Sequence, residues 1–206
     1  MNSRVLRKDE HSVRVIAGEN KGRQLKAVPG RLTRPTTDKV KETIFNMIGP
    51  YLQGGRVLDL YGGSGGLGLE ALSRGADEAV FVDKAVQACR VITENAVKCG
   101  YTECCQVLHL NSEKALSLLA GRHDVFDYVF LDPPYAKQHL SQDMKMLIGQ
   151  KLLSADATVI AEHEDTVNLP DCVGSALFRT KYRTYQGKTA VSVYRMTSEV
   201  RGSARP

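Results

Sequence analysis

Between residues 56 and 163 the chain alternates short apolar runs with longer amphipathic ones. RVLDLYGG (56–63) is a brief apolar run ending in glycine, the pattern of a buried strand entering a tight turn. GLGLEALSRG (66–75) follows as a helix, with Gly75 as its stop. EAVFVD (78–83) then predicts a strand and KAVQACRVITENAVKCG (84–100) a helix ending at Gly100. The same rhythm continues through QVLHLN (106–111), SEKALSLLA (112–120), FDYVFLDPPY (126–135), SQDMKMLIGQKLLS (141–154) and ATVIAEH (157–163). Strands alternating with helices of this length predict an α/β fold with a doubly wound, mostly parallel sheet covered on both faces.

Both ends depart from that rhythm. ALFRTKYRTY and KTAVSVYRM are two β-rich runs joined by Gln186-Gly187, which predicts a C-terminal antiparallel hairpin. VRVIAG and RQLKAVP, separated by Glu19–Gly22, predict a second hairpin at the N-terminus. RPTTDKVKETIFNMIG then begins a helix, capped by Thr37 or Asp38, with Val40, Ile44, Met47 and Ile48 on its apolar face. The expected organisation is a flexible tail over 1–10, a single domain over 11–197 and a second flexible tail over 198–206. Within the domain, 11–35 forms a hairpin extension and 36–197 the core.

Composition narrows the class. The chain has 206 residues, 42% hydrophobic and 25% charged, the profile of a globular protein. No apolar run approaches the roughly 18–20 residues needed to span a bilayer. The first 15 residues lack an apolar signal core. Five cysteines, an odd number without C-x-x-C spacing, argue against a disulfide framework or a zinc site, and the five histidines have no metal-ligand spacing. No metal and no membrane are expected, and a cytoplasmic location fits. His109 is expected in or near the core, and Cys89, Cys99 and Cys172 as small buried apolar groups. The net charge of +5 divides into +6 over residues 1–50, −7 over 51–178 and +6 over 179–206. Basic ends around an acidic middle suit a polyanionic partner, although solvated termini would give the same numbers.

The chemistry concentrates at two turns. Gly63, Gly65 and Gly68 satisfy G-x-G-x-x-G between a strand and a helix, and Asp83 ends the next strand, where it can accept ribose hydroxyls. An adenosine-containing cofactor follows. A P-loop would need G-K-[ST], which is missing, whereas a nicotinamide enzyme and an S-adenosylmethionine enzyme both remain open. For the latter, Asp59 can help hold the cationic methionine end. Asp132-Pro133-Pro134-Tyr135 ends a later strand, at the edge where open α/β sheets bind ligands. Its prolines make a rigid turn, so the Asp132 carboxylate, the Pro133 carbonyl and the Tyr135 ring share one small space. Two N–H groups of an aromatic amine can donate to the first two while the base stacks on the third. Alone, the tetrapeptide is equally a strand-ending turn. After the glycine turn and Asp83, it favours methyl transfer over hydride transfer.

VRVIAGENKGRQLKAV, RPTTDKVKETIFNMI, VLDLYGGSGGLGLEALSRGA, VFVDK and FDYVFLDPPY together resemble the small-subunit ribosomal RNA guanine-N2 methyltransferases that modify guanine 966 of 16S rRNA. The resemblance spans about residues 13–195. It implies a Rossmann-like methyltransferase core, an N-terminal RNA-gripping hairpin, S-adenosyl-L-methionine as cofactor, 16S rRNA in an assembling small subunit as partner, and a monomer. It assigns cofactor binding to Asp59, Tyr61, Gly62, Gly63, Ser64, Gly65 and Asp83, and catalysis to Asp132, Pro133, Pro134 and Tyr135. Asn111 stands where the family often has an acid for the adenine amine, and its side-chain oxygen can accept the same bond. Ser112 is a weaker neighbour that can instead cap the next helix. Lys21, Arg23, Lys26, Arg31 and Arg34 at one end are expected to contact RNA phosphates. So are Arg179, Lys181 and Arg183 at the other, which alternate along one strand and so are expected on one face. The alternatives are an adenine-N6 methyltransferase of DNA or RNA and a non-catalytic RNA-binding assembly protein.

Overall fold

The strand–helix alternation read from the sequence is the architecture of the core. The computed structural model describes residues 13–29, 37–134, 139–185 and 188–197. The two expected tails and the Gln186-Gly187 turn lie outside these residues, as do Arg31, Arg34 and Tyr135.

A two-stranded antiparallel unit comes first, β1 (Val13–Arg14) and β2 (Gln24–Leu25), followed by α1 (Asp38–Ile48). The α/β series is β3 (Arg56–Asp59), α2 (Gly66–Ser73), β4 (Glu78–Asp83), α3 (Val86–Cys99), β5 (Cys105–His109), α4 (Ser112–Gly121), β6 (Phe126–Leu131), α5 (Leu140–Gly149) and β7 (Leu153–Glu164). Three antiparallel strands close it: β8 (Cys172–Val173), β9 (Leu177–Tyr185) and β10 (Thr189–Met196). The eight-stranded sheet runs β5-β4-β3-β6-β7-β10-β9-β8. Its first five members are parallel, and β10 is antiparallel to both β7 and β9. Strand order reverses between β3 and β6, which opens a crevice at their carboxyl ends.

Alternation along each strand divides the core into two layers. Val57, Phe81, Phe130 and Ile160 pack with residues of α1, α2 and α3, while Leu58, Val82, Leu131 and Ala161 pack with α4 and α5. Asp59 and Asp83 take the next position on the α1–α3 side, so sheet geometry delivers both acids to one rim.

The end of α5 and the short strand β8 differ from the sequence reading. Helix α5 stops at Gly149 because Lys151 adopts a positive φ of 57° and turns the chain. Leu152 continued the helical apolar period but is a fully buried plug leading into β7. β8 is too short to leave a periodic signal. Thr37, rather than Asp38, caps α1, its hydroxyl accepting from the Val40 N–H at 3.4 Å. His109 is exposed, and the core histidine is His163. Of the three cysteines expected inside, Cys99 is buried, whereas Cys89 and Cys172 are partly exposed.

Candidate active site

The glycine turn is held from beneath by backbone. Gly62 N–H donates to the Val82 carbonyl at 2.8 Å and Gly65 N–H to the Gly62 carbonyl at 2.7 Å. Gly65 caps α2 with φ 81°, a left-handed conformation that a side chain would oppose. Gly68 is required by packing: a Cβ there would lie 2.3 Å from the Phe81 ring. The turn therefore brings the first turn of α2 down onto β4 and leaves backbone facing the crevice.

Asp59 is almost wholly buried beneath it. Its Oδ2 accepts the Gly68 N–H at 3.1 Å, while Oδ1 has no hydrogen-bond partner among the described residues. Burial, opposed by the Gly68 bond and reinforced by the charges of Asp132 and Asp83, raises its pKa to about 7. A buried acid with one oxygen unpaired, under a glycine-rich turn, fits the cationic end of an adenosine cofactor. Asp83 is fixed from both sides, accepting from Gly63 N–H at 3.0 Å and from Ala85 N–H at 2.9 Å.

The remaining predicted cofactor residues separate. Asn111, not Ser112, caps α4, its Oδ1 accepting from Lys114 N–H at 2.8 Å. Tyr61 packs on the α4–α5 side, donates its hydroxyl to Asp143 on α5 at 2.6 Å and lies 3.4 Å from the Ser112 hydroxyl. Burial and the Asp143 carboxylate raise the Tyr61 pKa, so the phenol keeps its proton and ties the cofactor turn to α5. Ser64 reaches the other side: its carbonyl accepts from the Asn95 amide at 2.8 Å.

Asp132, Pro133 and Pro134 follow β6 directly, across the crevice from Asp59. Pro133 is buried and Asp132 partly so. Tyr135 falls outside the described residues. The sequence reading brings these groups to the switch point correctly, but it missed what fastens the N-terminal unit beside them. Glu70 on α2 is fully buried; it accepts Ile16 N–H at 2.8 Å and Ala17 N–H at 3.0 Å, and pairs with Lys41 at 3.1 Å and Arg74 at 2.8 Å. Lys41 also donates to the Arg14 carbonyl, and the Arg74 guanidinium lies 4.4 Å over the Phe45 ring. Burial draws the Lys41 pKa down, while Glu70 holds it up. Asn95 accepts from Lys26 N–H at 2.8 Å and donates to its carbonyl at 3.0 Å, so one amide joins β2's end to Ser64. The available signal was a polar residue at an apolar helical position: Lys41 beside Val40 and Ile44, Glu70 within LGLEAL.

The predicted basic residues form two unlike sets. Lys21, Arg23 and Lys26 are exposed on the N-terminal unit, yet Arg23 donates to the Lys98 carbonyl at 2.7 Å and Lys26 pairs with Glu94 at 2.6 Å, both on α3. Arg31 and Arg34 lie outside the described residues. On β9, Lys181 and Arg183 oppose Val193 and Val191 and share the α1 side, where Lys181 donates to the Met47 carbonyl. Arg179 does not join them. The register shifts between Val193 and Tyr194, leaving Thr180 as an extra residue, so Arg179 opposes Tyr194 and faces the α5 side. There it pairs with Asp171 and lies 5.4 Å from the Tyr182 ring. One bulge thus overturns the expectation of a shared face.

Comparison with known proteins places this geometry. The family described as "Conserved hypothetical protein 95" matches residues 13–195. "Putative rRNA methyltransferase YlbH" of Bacillus subtilis is 48% identical over 183 residues, 89% of this chain and 98% of that protein. "Ribosomal RNA small subunit methyltransferase D" of Escherichia coli is 34% identical over 194 residues, 88% and 95% of the two chains. The solved structure of "Putative methyltransferase yhhF" from Escherichia coli aligns with TM-score 0.77 at 30% identity, covering 91% of this chain and 99% of that one. Sheet, glycine turn and acid-bearing rim therefore define a Rossmann-like, S-adenosylmethionine-dependent methyltransferase. Within that class, the chain belongs to the ribosomal RNA small subunit methyltransferase D family.

Proposed function

We propose that this protein methylates the exocyclic N2 of guanine 966 in 16S rRNA, acting in the cytoplasm as a monomer on an assembling small subunit. The observation that carries the reading is Asp132-Pro133-Pro134 at the carboxyl end of β6, across the switch-point crevice from Asp59 and the glycine turn. In this reading Asp59 holds the methionine end of S-adenosylmethionine, backbone of residues 62–65 lies against it, Asp83 accepts the ribose hydroxyls and Asn111 the adenine amine. Bound S-adenosylmethionine supplies a methyl group on a sulfonium, an electrophile that needs no further activation. The chain's work is alignment: the Asp132 carboxylate and Pro133 carbonyl accept the two N2–H bonds, which aims the nitrogen lone pair at the methyl carbon. On transfer N2 would shed one proton, and the Asp132 carboxylate would be the acceptor in place. The base must leave its stack to reach this crevice.

Replacing Asp132 with Ala tests the assignment. Cofactor affinity measured by calorimetry should stay within about twofold, while methyl transfer falls by about 10²–10⁴-fold. Full activity in this variant would overturn the role. Product nucleosides from naked 16S rRNA and from unmodified small subunits should contain N2-methylguanosine; N6-methyladenosine would return the adenine-N6 alternative.

A further inference from the structure

We infer that Glu162, near the carboxyl end of β7, selects guanine by accepting its N1–H while Asp132 and Pro133 hold the N2 amine; the inference rests on the guanine-N2 reading. Ala161 pairs with Leu131 in the parallel β6–β7 ladder, so one step further on Glu162 stands beside Asp132. Neighbouring strands are about 4.8 Å apart. Ile160 and Phe130 belong to the core layer under α1–α3, and so does Val191, which pairs with Glu162 from β10. Glu162 therefore shares the side of the sheet that carries Asp59 and Asp83. It is only 7% exposed, an unusual state for a carboxylate. Along the sheet, Asp83 and Asp59 are the last residues of β4 and β3, Asp132 follows β6 directly, and Glu162 lies two residues before the end of β7.

The rim has divided chemistry. Asp59, with a buried oxygen that has no hydrogen-bond partner among the described residues, marks its cofactor half. Asp132 and Glu162 mark the half beyond it. Each of those two carboxylates also interacts with another group of the protein, and an ionised carboxylate has about four acceptor sites, so a further bond can be accepted. The Watson–Crick edge of guanine presents N1–H and N2–H side by side as donors. Adenine presents a lone pair at N1, which a carboxylate repels. Two acceptor-only groups on adjacent strand ends thus match guanine and exclude adenine, a difference the Asp-Pro-Pro turn cannot make alone, since both bases carry an exocyclic amine.

The test uses full-length enzyme and small subunits rebuilt with ligated 16S rRNA carrying either guanine or 2,6-diaminopurine at the target position. Diaminopurine keeps the N2 amine but has a lone pair at N1. Wild type should prefer guanine by about 10–100-fold in kcat/KM, the usual worth of one good polar pair. Glu162→Gln, whose amide can donate to N1, should lose rate on guanine, gain it on diaminopurine and narrow the preference at least tenfold. The ratio is read on one preparation, so any unfolded fraction cancels. An unchanged ratio in Glu162→Gln overturns the assignment while leaving the guanine reading intact. Failure of wild type to methylate the guanine substrate overturns both.

Discussion

The two basic ends of the chain carry equal charge and are built in opposite ways. At the N-terminus, the backbone from Val13 to Lys26 is fastened to the core by buried side chains: Glu70 takes two amides, the Ser73 hydroxyl takes Asn20 N–H at 3.0 Å, and Asn95 takes Lys26 N–H. At the C-terminus, residues 180–184 of β9 are exposed on both faces. β8 pairs with Leu177 and Phe178, and Arg179 N–H donates to the Asp171 carbonyl at 2.7 Å; among the described residues no strand pairs the outer edge of β9 beyond that. Net charge treats the two ends as equivalent, but attachment separates them. The first is a brace for the cofactor turn, with Arg23 and Lys26 partly engaged on α3. The second is a presenting surface, with Phe178 and Tyr182 exposed between its cations.

The largest effect that would sharpen this contrast is at Glu70. Glu70→Ala leaves a buried Lys41 ammonium, the Arg74 guanidinium and two amides without their acceptor. Removing one partner of such a buried set costs about 3–5 kcal/mol. Denaturant unfolding should show that loss, whereas Tyr182→Ser should leave stability within about 0.5 kcal/mol. Equal effects would erase the distinction. Asn95→Ala comes next, deleting three hydrogen bonds at a cost on the order of 2 kcal/mol. Because one of those bonds holds Ser64, calorimetry should also show weaker S-adenosylmethionine binding, which no substitution on β9 should produce.

The same contrast explains what could be read from the sequence. Parallel strands buried on both faces write near-continuous apolar runs, so the core series and the acids at its strand ends were legible. Asp59, Asp83 and Asp132 were found because each ends such a run. Glu162 lies in one too, two residues before β7 ends, but ATVIAEHED continues into polar residues without a glycine or proline to mark where the strand stops. The brace was illegible for a different reason. Glu70 and Lys41 are charged residues at apolar positions of their helices, and the period marks them as out of place without naming what satisfies them; only the partners, 29 residues apart, make burial possible. The Thr180 bulge is likewise silent, since a strand with one extra residue keeps the same local alternation.

Under the proposed function, RNA contact is expected to separate the ends further. Reversing both Lys181 and Arg183 to Glu should lower affinity for rRNA about tenfold or more and reduce the magnitude of the salt dependence, d log K/d log[salt], by about 1–2. Reversing Arg23 and Lys26 should change that slope less, because part of their charge is already met by Glu94 and the Lys98 carbonyl. Arg179→Glu, on the opposite face, should change it least. A larger slope change from the N-terminal pair would make the hairpin the principal RNA grip and reverse the division drawn here.

The smallest effect concerns pH and returns to the brace's cargo. Asp59 has a folded pKa of about 7, above its ordinary 3.8. In the unfolded chain it ionises near 4, while the fold retains its proton, so its contribution to stability falls between about pH 4 and 7 and is level above. A cationic cofactor end favours the ionised form, so binding should release a proton below pH 7 and tighten as pH rises from 6 towards 8. Calorimetry across that range should give a several-fold increase in S-adenosylmethionine affinity for wild type. In Asp59→Asn the increase should vanish, with weaker binding throughout. Affinity of the apo-protein for rRNA through β9 should follow neither curve; if it tracked the Asp59 titration, the presenting surface would be coupled to the cofactor turn, and the two ends would differ in construction but not in function.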